Sequence, residues 1–206
     1  VSTTAPSLAR SRARPALLPI VAPVTAAALA ALFLGLQLGA TPDESWKLAA
    51  RYTARLSFWV FLAVYVASAW NRLRPGAFSR NLVRRRRAVG LAFAAAHGVH
   101  LVALVAYNVV TRQVPDAPTL LVGGGAYVAL FAMAATSNDA AVRALGRRWR
   151  TLHRVGMHWL WFVFTFSYAG RVTGGDLTFV PMLAAALAAL GVRIAAWRRR
   201  RERAAA

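Results

Sequence analysis

The stretch AVGLAFAAAHGVHLVALVAYNVV, Ala88–Val110, decides the fold. It runs 23 residues without a single Asp, Glu, Lys or Arg. About 20 mostly apolar residues cross the hydrocarbon core of a bilayer as a helix. The segment therefore reads as a membrane span, yet it carries two histidines, His97 and His100. Ionisable side chains are costly at that depth and mark function there. A second apolar stretch, Leu152–Gly170, holds the remaining two, His153 and His158.

Outward from these two stretches the chain reads as further spans. The six are Leu17–Gly39, Trp46–Trp70, Ala88–Val110, Pro118–Thr136, Leu152–Gly170 and Leu177–Trp197. The first exceeds the 7–15 apolar residues of a signal peptide and reads as an uncleaved helix. The expected fold is an all-α integral membrane protein, a six-helix transmembrane bundle. A cytoplasmic tail (1–16) and a basic cytoplasmic tail (198–206) flank one six-span domain (17–197).

Hydrophobic residues make up 58% of the 206, and charged residues only 16%, which excludes an ordinary soluble domain. The net charge of +20 reads as a topology signal, because no groove-reading motif accompanies it to suggest nucleic acid. Arg10, Arg12 and Arg14 precede the first span; Arg72, Arg74, Arg80 and Arg84 to Arg87 fill the second connection. Arg143, Arg147, Arg148, Arg150 and Arg154 fill the fourth, and Arg198 to Arg201 with Arg203 close the chain. Lys47, Arg51, Arg55, Arg112 and Arg171 lie near the other side, with Asp43, Glu44, Asp116 and Asp176. The positive-inside rule then puts both termini in the cytoplasm, and an even number of spans agrees. Trp70, Trp149 and Trp197 sit beside the inner arginines as interfacial anchors, and the basic tail suits anionic lipid.

Paired histidines on two spanning helices suit a buried haem, whose iron takes imidazole nitrogen as an axial ligand. Cysteine is absent, which removes thiolate and iron–sulfur chemistry. No carboxylate lies in either histidine span to complete another metal site. His97 and His100 are three apart and share a helix face, about 60° around the axis. His153 and His158 are five apart, about 140° around, and do not. With entry at Ala88 and Thr151, His97 and His100 lie about 14 and 18 Å deep, His153 and His158 about 3 and 10 Å. Depth favours His97–His158 or His100–His158 as the axial pair, and leaves His153 for a second, inner haem. Arg51 and Arg55 share a face near the outer boundary and suit haem propionates, or snorkel to headgroups. Gly123, Gly124 and Gly125 suit close helix packing.

Two strings carry a family resemblance. Arg86-Arg87-Ala88-Val89-Gly90-Leu91 followed by His100 is one. Thr136-Ser137-Asn138 through Leu145-Gly146-Arg147-Arg148-Trp149-Arg150-Thr151-Leu152-His153-Arg154 is the other. Together they resemble ferric-reductase-like transmembrane proteins, and among them the haem-binding membrane subunits of bacterial methionine-sulfoxide reductase systems. The resemblance implies six helices, b-type haem, transmembrane electron transfer, and axial histidines at the positions of His100 and His153. The family pattern has a further histidine thirteen residues on, where this chain has Phe166. Depth and motif thus name different partners for the third span, and all four histidines stand as candidate iron ligands.

The expected function is a haem b protein of the cytoplasmic membrane, with one haem or two. It would carry electrons from an inner flavoprotein or quinol to an outer acceptor. No Gly-x-Gly-x-x-Gly follows a strand pattern, so flavin and NAD sites are not expected in the chain. The competing readings are a non-catalytic assembly or packing partner and a small proton-coupled transporter, each with structural histidines. Proton relays normally include Asp or Glu, and none stands inside a span.

Overall fold

A computed structural model describes residues 17–205. Expectations for the 1–16 tail, including Arg10, Arg12 and Arg14, and for Ala206 lie outside the described residues. The elements are α1 (Leu18–Leu38), α2 (Pro42–Leu73), α3 (Ala77–Val110), α4 (Ala117–Thr119) and a π-helical turn (Leu120–Gly124). They continue with α5 (Gly125–Ala135), α6 (Asp139–Leu145), α7 (Arg147–Thr173), a 3-10 turn (Leu177–Phe179) and α8 (Val180–Ala205). No strand occurs among the described residues.

Five helical segments are long and apolar enough to cross a membrane: 18–38, 42–73, 77–110, 117–135 and 177–205. They coincide with five of the six spans read from sequence. The remaining one, α7, has 27 residues, about 40 Å of helix. It is long enough, but Arg147, Arg148, Arg150, Arg154 and Arg171 leave it less apolar than the other five.

Local chemistry sets the helix ends. Thr41 caps α2 by accepting from Glu44 N–H, and Glu44 Oε2 accepts from Ala40 N–H at 3.0 Å. Pro42 follows the cap, where its missing N–H costs nothing. At the other end, Ser79 Oγ accepts from Gly76 N–H at 2.9 Å and starts α3 well before Ala88. Arg80 and Arg84 to Arg87 are therefore helical, on an N-terminal extension of the third span rather than in a loop. Gly146, at φ +49°, makes the sharp joint between α6 and α7, a backbone region that disfavours a side chain.

α2 is the central helix, packed along α1, α3 and α8; α7 packs against α5 and α8. α1 approaches so closely that a Cβ on Gly35 would collide with the backbone of Ala49. The core is largely aromatic. Phe58, Phe61 and Tyr65 of α2 meet Phe93 of α3, Leu160, Phe164 and Tyr168 of α7, and Phe179 and Met182. Phe33, Val109, Leu121, Val128 and Phe166 point outward, as lipid-facing side chains do.

The three glycines at 123–125 are not a packing surface. A Cβ on Gly123 or Gly124 would meet nothing within 4 Å, and one on Gly125 would meet only Trp159 Nε1 at 3.7 Å. Gly123 and Gly124 close the π-helical turn and Gly125 follows it, and the Trp159 indole N–H donates to the Val122 carbonyl there. Trp149, expected among the headgroups, turns inward. Its indole N–H donates to Thr136 O at 2.9 Å.

Candidate functional site

α2 positions the α3 histidines. Ser57 and Thr53 are four apart and fully buried, one turn of helix above the other. Ser57 Oγ lies 2.9 Å from His97 Nδ1, and Thr53 Oγ1 lies 3.2 Å from His100 Nδ1. Each hydroxyl has one proton. Ser57 gives its proton to Ala54 O at 3.0 Å, and Thr53 gives its own to Ala49 O at 2.7 Å. With the hydroxyl protons on those carbonyls, Nδ1–H of each imidazole donates to the oxygen, and Nε2 is the nitrogen open to a metal. In that tautomer Nε2 carries the lone pair, and the α2 hydroxyls fix the orientation of both rings. This is the state in which histidine binds a metal, with the second nitrogen tied by a hydrogen bond.

The two rings lie together, 5.0 Å between centroids, and His97 is buried. His97 also packs against Phe93 (5.3 Å), Phe164 (5.2 Å) and the face of Tyr127 (5.0 Å). The Tyr127 hydroxyl is buried without a hydrogen-bond partner, as is that of Tyr168.

The α7 histidines are held differently. Thr136 donates to Ala132 O at 2.7 Å and so accepts from His153 Nε2–H at 3.3 Å. The His153 ring stacks on Trp149 at 4.1 Å. His158 has both nitrogens engaged: Nδ1 with Tyr65 Oη at 3.1 Å, Nε2 with Arg193 at 3.3 Å. A guanidinium only donates, so Nε2 accepts and Nδ1–H donates to the tyrosine.

Neither α7 histidine is a ring neighbour of His97 or His100. His97 is level with Phe164, six residues past His158, about 9 Å further along α7. The depths counted from sequence placed them closer because that count started α3 at Ala88 and α7 at Thr151. Gly90 and Met157 line one cavity, which sets the two helices in a different register.

That cavity, about 460 Å³, lies at the arginine-rich end. Phe93, Leu130, Met133 and Met157 form its apolar wall; Arg86, Arg87, Arg154, Arg193 and His153 supply polar groups. Asp139 also lines it and pairs with Arg87 at 3.5 Å. Arg193 and the hydroxyls of α2 are the residues that sequence reading passed over. Arg193 had a signal, a charge inside the last span. Ser57 and Thr53 had none, since a small hydroxyl in a span reads as packing.

At the opposite end, Arg51 pairs with Asp176 at 3.4 Å and Arg55 donates to Thr178 at 3.2 Å. With Arg171 they surround the Phe179 ring, 5.0–5.9 Å from its centroid. The Nε atoms of Arg51 and Arg55 are buried without a partner. Hydrogen bonds from the Thr178 hydroxyl, then its backbone, and the charge of Arg51 hold the Asp176 carboxyl below its usual range.

Long apolar helices with hydrogen-bonded imidazoles between them define a class: a multi-pass helical membrane protein with histidines held inside its bundle. Relatives narrow the class. The protein-methionine-sulfoxide reductase heme-binding subunit MsrQ of Bordetella pertussis is 34% identical over 152 residues, 69% of this chain and 73% of that protein. The same subunit of Azospira oryzae is 28% identical over 141 residues, covering 61% and 58%. That of Cronobacter sakazakii is 32% identical over 127 residues, covering 54% and 62%. The chain belongs to the MsrQ family of heme-binding subunits. No family model and no solved structure matches it.

Proposed function

We propose that the protein binds b-type haem and carries electrons across the bacterial cytoplasmic membrane, as a membrane subunit of an oxidoreductase. One observation carries the reading. His97 and His100 sit inside a span with Nδ1 held 2.9 and 3.2 Å from the Ser57 and Thr53 hydroxyls, which suits Nε2 to iron. The relatives, named as heme-binding subunits, support the same group.

The residues fit a haem. Its iron needs imidazole nitrogen with a free lone pair, and α3 offers two. Its propionates need cations at the edge of an apolar slot, and the chain has two such sets. The inner set is Arg86, Arg87, Arg154 and Arg193 around the cavity; the outer is Arg51 and Arg55 beside Phe179. When bound, haem supplies a one-electron ferric–ferrous couple. The chain's part is to fix imidazole orientation, exclude water with Phe93, Phe164 and Tyr127, and pair the carboxylates. On this reading His97 or His100 ligates from α3. His153 is the α7 histidine with a nitrogen, Nδ1, left free, and His158 is the fourth candidate.

We propose further that α7 crosses as the sixth span and that both termini face the cytoplasm, with 17–197 as one domain between two tails. The arginine distribution supports this orientation. Electrons then enter from a flavoprotein or quinol on the inner side and leave to an outer acceptor. Because the chain has no cysteine, single cysteines placed at Thr41 or Ala206 report the two sides cleanly to an impermeant thiol reagent.

The direct test is a visible spectrum of the detergent-purified protein, oxidised and dithionite-reduced. A low-spin b-type spectrum is expected, and it should be lost when His97 and His100 are both replaced by alanine. A colourless protein from haem-replete cells would overturn the proposal.

A further inference from the structure

Arg193 sits within the last apolar helix, where a cation is costly and needs acceptors. Three surround it. Its Nη1 donates to Tyr65 O at 2.7 Å, its Nη2 to His158 Nε2 at 3.3 Å, and its guanidinium carbon lies 4.4 Å over the Tyr65 ring. Tyr65 Oη closes the circuit on His158 Nδ1 at 3.1 Å. Three helices, α2, α7 and α8, thus meet in one polar clasp. Trp161 stacks on Tyr65 at 8° and donates to Ala186 O at 2.8 Å, which stiffens the clasp from the far side.

The two hydrogen bonds use two of the five N–H donors of Arg193. Arg193 lines the inner cavity, whereas neither His158 nor Tyr65 does. Three more arginines and a single carboxylate, Asp139, line the same wall, so the cavity is strongly cationic. Arg87 Nε is buried there without a partner. An apolar slot with a fixed cation at its edge suits a flat amphipathic ligand that ends in carboxylates.

We infer that Arg193 receives a propionate of the bound haem in the inner cavity, and that His158 is a positioning residue that aims Arg193 rather than an iron ligand. The inference rests on the haem reading above. It assigns His158 a role opposite to the one its depth suggests. A ring with a guanidinium on Nε2 and a tyrosine on Nδ1 has no lone pair for iron. Its work is to accept one guanidinium bond, so that the remaining donors face the cavity.

The test uses the full-length protein made in haem-deprived cells and loaded with either haem or haem dimethyl ester, which lacks free carboxylates. Arg193→Gln loaded with haem should lose pigment to apomyoglobin about tenfold faster or more than wild type, the size of one charge-assisted hydrogen bond. Its midpoint potential should shift negative, since a cation beside the haem favours the ferrous state. Arg193→Lys should recover much of both. His158→Ala should follow Arg193→Gln in both readouts while keeping the wild-type low-spin spectrum, and the double variant should add little. With the dimethyl ester, wild type and Arg193→Gln should coincide.

A merely structural clasp would leave the contrast between variants the same for both pigments, and that result overturns the inference. So does a His158→Ala protein that turns high-spin, because His158 would then be a ligand. If wild type binds no haem at all, the haem reading falls first. A coloured wild type with an indifferent Arg193 sinks this inference alone.

Discussion

The α3 and α7 histidines look alike in sequence, two imidazoles in each of two apolar stretches, but the protein treats them in opposite ways. On α3 each ring meets a hydroxyl whose proton is already spent on a helix carbonyl. That arrangement ties Nδ1 of each ring to α2 and turns Nε2 away from it. On α7 one ring is saturated by Tyr65 and Arg193, and the other leans on Trp149 with Nε2–H on Thr136. On the proposed reading the same residue type is thus an iron ligand in one helix and a structural acceptor in the other. The partner supplied by the neighbouring helix decides which.

Substitutions can break this comparison. The largest effect belongs to His97→Ala combined with His100→Ala, which should abolish the bound pigment altogether. The equivalent double change on α7 should leave a coloured but altered protein. Haem-to-protein ratio measures both. Next, Ser57→Ala or Thr53→Ala frees an α3 imidazole to rotate and change tautomer. Loss of such a partner weakens metal affinity about 10- to 100-fold, read as faster haem transfer. The matching change on α7, Thr136→Ala, should have a smaller effect.

Stability separates the two sets further. Tyr65→Phe removes one bond to His158 and should lower unfolding free energy by about 1 kcal/mol. His158→Ala leaves Arg193 short of an acceptor and should cost about 1–3 kcal/mol. Both are measurable as shifts in detergent thermal unfolding. Gly39→Val drives the end of α1 off the Ser45 backbone, about two helical turns before Thr53. A cost of about 1–3 kcal/mol with an unchanged spectrum would show that stability and ligation are separable.

The smallest effect lies in the loop between α7 and α8. Thr178 and Arg51 lower the Asp176 carboxyl, so its contribution is complete above the ordinary carboxylate value of about 3.9. It is lost as pH falls through the lowered native value. Asp176→Asn should therefore reduce the thermal midpoint slightly at pH 7 and make no difference once the medium is acid enough to protonate the native carboxyl. A difference that persists there would remove Asp176 from the account.

Much of the architecture was legible because membrane spans are written in composition. Unbroken apolar runs gave the positions of the five apolar helices to within a few residues, apart from their polar extensions. Those extensions, α3 from Ala77 and α2 from Pro42, depend on capping by Gly76–Ser79 and Thr41–Glu44, which hydropathy does not register. The histidines were visible as rare polar residues in apolar runs. Their roles were not, because a role depends on which side chain of another helix lies opposite, and on helix register. Starting α3 and α7 at their apolar boundaries brought His97 and His158 together in depth, whereas packing sets His97 level with Phe164. Arg193 was hidden by its neighbours: one arginine near Arg198 to Arg201 reads as part of the basic tail, although it is a turn and more inside the span.

The most direct measurement is the reduced-minus-oxidised visible spectrum of the purified protein beside that of its His97→Ala/His100→Ala form. The account predicts a low-spin b-type difference spectrum in the first and none in the second. An unchanged spectrum in the double variant would contradict it, for the iron would then be held without the two imidazoles that α2 keeps open.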